Sequence, residues 1–60
     1  MNERKELIAM VKTPVGYVEI MHEGERFKIC HYNGAGHVKS ELMKTYEESI
    51  KHVVKTYFEN

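Results

Sequence analysis

The chain has 60 residues, with nine Lys plus Arg against nine Asp plus Glu, so its formal net charge is zero. A domain this small buries only roughly 60% of its unfolded surface, which leaves a tight minimal core or self-association to stabilise it. Cys30 is the only cysteine and excludes an intrachain disulfide, while the balanced charge argues against a general polyanion binder.

The N-terminus carries both signs of charge and leads into an apolar run too short for a signal sequence or a membrane span. A cytoplasmic protein with no membrane partner is expected. Its organisation is expected to be one domain over residues 1–60, with 1–5 mobile, 6–32 a three-stranded sheet and 38–58 a helix.

Glu6 to Lys12 is mostly apolar and stops at Thr13-Pro14, which suits a short strand; proline already has the φ needed at the second position of a Thr13-Pro14-Val15-Gly16 turn. A tight turn there sets Val11 opposite Val18, Ala9 opposite Ile20 and Ile8 opposite Met21. Val15 to Tyr32 then reads as a hairpin closed at Glu23-Gly24, pairing Val18 with Ile29, Ile20 with Phe27 and His22 with Glu25. Alternation puts Val18, Ile20, Phe27 and Ile29 on one face, joined by Leu7, Ala9 and Val11. Tyr17, Glu19, Met21, Arg26, Lys28 and Cys30 fall on the other.

Tyr32 to Gly36 reads as a flexible loop, and Val38 to Phe58 as a helix. Leu42, Met43, Tyr46, Ile50, Val53 and Tyr57 lie within about 60° of one direction on such a helix, with Glu41, Lys44, Glu48, His52 and Lys55 opposite. Thr45-Tyr46-Glu47-Glu48 also matches a capping box, so residues 38–44 have a second reading as a separate turn or short strand. The expected fold is α+β: a three-stranded antiparallel sheet followed by one C-terminal helix packed on one face. Leu7, Val11, Val18, Ile20, Phe27 and Ile29 of the sheet, with Leu42, Tyr46, Ile50, Val53 and Tyr57 of the helix, are the expected core.

Few residues suggest chemistry. Gly34 to Ser40 ends in Lys-Ser between a strand and a helix, but it lacks the glycine that a nucleotide phosphate loop needs directly before the lysine. Cys30, His31 and His37 are close in sequence, yet neighbouring strand residues face opposite ways, so neither a metal site nor a Cys-His catalytic pair is expected there. Glu23, Glu25, Glu47 and Glu48 suit solvated positions at a turn and a helix start. The reading is therefore of a protein without catalysis, cofactor or metal.

That leaves the second sheet face, where Ile8, Met10, Tyr17 and Met21 form an apolar centre and Glu19, Arg26 and Lys28 set register by charge. The expected function is a small regulator, adaptor or inhibitor that binds a protein partner or a second copy of itself, as a homodimer. Lys12, Arg26 and Lys28 with Tyr17 also offer phosphate and packing contacts. The architecture resembles the small sheet-face DNA readers found at the N-termini of some phage integrases and in some plant transcription factors, which implies DNA or RNA binding as the alternative. Zero net charge disfavours it.

Overall fold

Four strands and a helix follow one another without a crossover: β1 (Lys5–Thr13), β2 (Gly16–Glu23), β3 (Arg26–Asn33), β4 (Gly36–Met43) and α1 (Tyr46–Tyr57). The structure, a computed structural model, describes residues 5–59. Of the expected mobile end, residues 1–4 lie outside the described residues, and Lys5 already pairs with Glu23. The fold is α+β, with an antiparallel sheet in the order β1-β2-β3-β4 and the helix packed on it. The expected three strands are four, because residues 36–43 extend β3 by a further hairpin instead of starting the helix.

Each connection is a two-residue loop fixed by a local device. At Pro14-Val15 the Thr13 hydroxyl accepts hydrogen bonds from the amides of Gly16 at 3.0 Å and Val15 at 3.3 Å. At Gly34-Ala35 the Asn33 side-chain oxygen accepts the Ala35 amide at 2.8 Å, an Asx turn. The middle loop is Gly24-Glu25, not Glu23-Gly24, because Glu23 pairs with Arg26. Gly24 has φ of 62° and no non-glycine residue among those described has positive φ, so glycine takes the first loop position, as a II′ turn requires.

That correction moves the β2–β3 register by two residues. Ile20 faces Ile29, Val18 faces His31 and His22 faces Phe27. Two is the strand period, so every side chain keeps its expected face while changing its partner. In the β1–β2 pair, Val11 opposite Val18 and Ala9 opposite Ile20 are as expected. Beyond them the register shifts between Leu7 and Ala9, so Leu7 rather than Ile8 opposes Met21. Leu7 leaves the expected core and is 49% exposed. A second irregularity leaves Val38 unpaired in β4, so each outer strand carries one bulge.

Val18, Ile20, Ile29 and Val53 form the buried core, with Ala9, Val11, Phe27, Met43, Ile50 and Tyr57 packed around it. The helix lies mainly over β3 and β4. Ser49 is fully buried where the helix meets the sheet, its hydroxyl donating to the Thr45 carbonyl at 3.1 Å. Tyr46, expected in the core, stands at its exposed rim with its ring 6.0 Å from that of Phe27. Leu42, also expected there, is 58% exposed on the opposite side of the sheet, opposite Lys28. A strand sends adjacent Leu42 and Met43 to different faces, whereas a helix would have kept them together.

Candidate functional site

Strand register builds the open face of the sheet row by row. Leu7, Met21, Lys28 and Leu42 form one row across the strands; Met10, Glu19, Cys30 and Ser40 form the next; Lys12, Tyr17, Tyr32 and His37 form the third. Of the expected binding residues, Met10, Tyr17, Glu19, Met21, Arg26 and Lys28 share this face, while Ile8 is displaced to the bulge. No described segment covers it. The rings of Tyr17 and Tyr32 stack with centroids 4.6 Å apart, and Cys30 is buried in this layer with the Ser40 hydroxyl 3.6 Å from its sulfur. Burial first, then the neighbouring Glu19 carboxylate, push the Tyr32 phenol above its ordinary pKa. Glu23 lies between two cations, 3.6 Å from Lys5 and 4.0 Å from Lys28, so both signs of charge border the apolar centre.

The helix-facing side holds a polar cluster. His31, on the same face of β3 as Ile29, is only 1% exposed, and three elements meet at it. Its Nε2 is 2.8 Å from Glu41 Oε1 on β4, and its Nδ1 is 2.5 Å from the Tyr57 hydroxyl on α1. His52 of α1 brings its own Nε2 to 2.7 Å from the same Glu41 Oε1. Lys39 Nζ stands 3.8 Å from the other carboxylate oxygen. Burial pushes the Glu41 carboxyl upward, but the His31 hydrogen bond, the charge and hydrogen bond of His52 and the Lys39 charge outweigh it, and the carboxyl lies below its ordinary pKa. Burial and then the Glu41 charge push the Tyr57 phenol up.

Cys30 and His31 do point to opposite faces, and His37 bonds instead to the Ser40 hydroxyl at 2.9 Å. The residues that meet His31 come from elsewhere in the chain. Glu41 and His52 were expected on the solvent side of one long helix; Glu41 stands on a strand facing the helix, and His52 is half-buried on the helix flank. The signal for this cluster is alternation along residues 36–43. Reading them as a strand after Asn33-Gly34 places Glu41 beside Ile29, with an acidic residue facing inward next to a buried histidine.

No helix among the described residues is long and apolar enough to cross a membrane. Comparison with known protein families, with curated proteins and with solved structures finds no match.

Proposed function

We propose that the protein is a non-catalytic interaction module of the cytoplasm that pairs with a second copy of itself through the open sheet face. The observation that carries this reading is a sheet with one face under a helix and the other bare, yet with Leu7, Met10, Met21 and Leu42 on the bare side. A two-fold contact requires a self-complementary patch. Glu19 and Glu23 share this face with Arg26 and Lys28, so opposite charges can meet across the axis, and a net charge of zero adds little repulsion. Bulges on both outer strands disfavour pairing edge to edge and leave the face as the better route.

Area sets the strength. Strands about 4.8 Å apart, rising about 3.3 Å per residue, give a four-stranded face of roughly 500 Å² in projection. That is at the small end of specific interfaces, so pairing should be weak and concentration-dependent. Light scattering over a dilution series should show a mass rising from monomer toward dimer. Leu42→Glu, at an exposed position, should hold the chain monomeric with an unchanged circular dichroism spectrum. A wild-type mass that stays monomeric at millimolar concentration would sink the reading; a salt-sensitive shift of labelled DNA or RNA, abolished by reversing Arg26 and Lys28, would put nucleic acid in its place.

A further inference from the structure

We propose that His31, Glu41 and His52 form a binding site for one divalent transition-metal ion of the zinc type, with one ligand each from β3, β4 and α1. Each of the three residues offers a ligand atom within 4.8 Å of the other two, and both histidines turn Nε2 toward Glu41 Oε1. Zinc bonds of about 2.0–2.1 Å in tetrahedral geometry require ligand atoms about 3.3–3.4 Å apart. Both Nε2 atoms lie 2.7–2.8 Å from Glu41 Oε1, so to admit the ion the carboxylate must retreat by about half an ångström and the half-buried His52 ring must adjust to set its nitrogen at tetrahedral distance from that of His31. Glu41 can do so, because its side chain is part-exposed on an outer strand.

Two features favour a metal over a purely structural network. Two imidazoles from different elements aim the same nitrogen at one carboxylate oxygen, so three donor atoms of metal-ligating type already converge on one point. The remaining nitrogen of His31 is held by the Tyr57 hydroxyl, which occupies the outer-shell position that a carboxylate, carbonyl or water takes beside most metal-bound histidines. Without metal, each ring donates an Nε2 proton to Glu41, and the Tyr57 hydroxyl bonds to His31 Nδ1. With metal, both Nε2 atoms must be free of protons, so His31 carries its proton on Nδ1 and donates it to the Tyr57 oxygen, and His52 carries its own on Nδ1. Both Nε2 lone pairs then reach the ion, and the carboxylate binds it in its charged form. Two nitrogens and one oxygen suit zinc better than magnesium or calcium, which favour all-oxygen shells. Half-buried Glu41 and His52 leave a fourth position toward solvent for water. Lys39 opposes the ion by its charge, but it is exposed and pairs with the other carboxylate oxygen.

The test is calorimetric titration of the folded, chelator-treated protein with zinc, alongside thermal melting with zinc or magnesium. One zinc per chain should bind, with a raised melting temperature that magnesium does not reproduce. In NMR spectra the ring protons of His31 and His52 should respond to zinc, and those of His22 and His37 should not. His52→Gln and Glu41→Gln should abolish binding while retaining the wild-type circular dichroism spectrum; Tyr57→Phe should weaken it about tenfold, as loss of an outer-shell partner does. Binding should survive His22→Gln and His37→Gln. Absence of zinc binding by the folded wild type, stabilisation by magnesium equal to that by zinc, or zinc resonance changes confined to His22 and His37 would overturn the assignment.

Discussion

Gly16 shows how closely single positions are specified. A Cβ built there would overlap the Tyr32 carbonyl oxygen and stand 2.7 Å from Asn33 Cα, so the obstruction is backbone of the neighbouring strand. Backbone cannot swing away as a long side chain can. Gly16→Ala should therefore destabilise the fold by about 1–3 kcal/mol, the usual range for overpacking, as read by urea unfolding. Gly34 has open space around the same virtual atom and serves as the control: Gly34→Ala should change stability far less. Much at this scale was legible in the residues. Thr13-Pro14 marks its turn, and Val18, Ile20 and Ile29 mark the buried face. The partner of each was less legible, because Glu23-Gly24 and Gly24-Glu25 both keep the apolar residues on one side.

Among the elements, the helix start is the instructive case. Thr45 is the N-cap: its hydroxyl accepts the Glu48 amide at 3.0 Å, and Glu48 reaches back to the Lys44 amide at 3.2 Å, one residue earlier than a capping box would place it. Removing the cap with Thr45→Ala should lower stability by about 1 kcal/mol in chemical denaturation, and Thr45→Ser should restore most of it. The capping signal was present in the sequence. It competed with Leu42 and Met43, whose spacing from Tyr46 continues the helical stripe, and a helical period can persist by chance over two residues. Turn spacing is the stronger discriminator. Loops at residues 14–15, 24–25 and 34–35 recur at equal intervals, which is the pattern of a meander of short strands. Missing the fourth strand also hid Glu41 from His31, since on a helix the two have no reason to meet.

For the molecule as a whole, one helix over one face leaves a buried core of four apolar side chains, which is little for an independent domain. Self-association would add to that core's stability by mass action. The melting temperature should then climb with protein concentration in the wild type and stay constant in Leu42→Glu, measured by calorimetry across a hundredfold range. The rise should be several degrees, because 1 kcal/mol moves the midpoint of a domain this small by about 4–8 °C.

Connectivity without a crossover also governs how the chain reaches its native state. Every strand pairs with the segment synthesised just before it, so each step closes only a two-residue loop and little loop entropy opposes it. Isolated hairpins form in about 1–10 μs, far faster than translation adds residues, so the sheet can assemble in the order it is made. The helix is made after the whole sheet, and with it arrive Ser49 and Val53. Until α1 is released, Val18, Ile20 and Ile29 face water on a nascent sheet. The arrival of α1 therefore closes a face that the nascent sheet would otherwise offer to another chain.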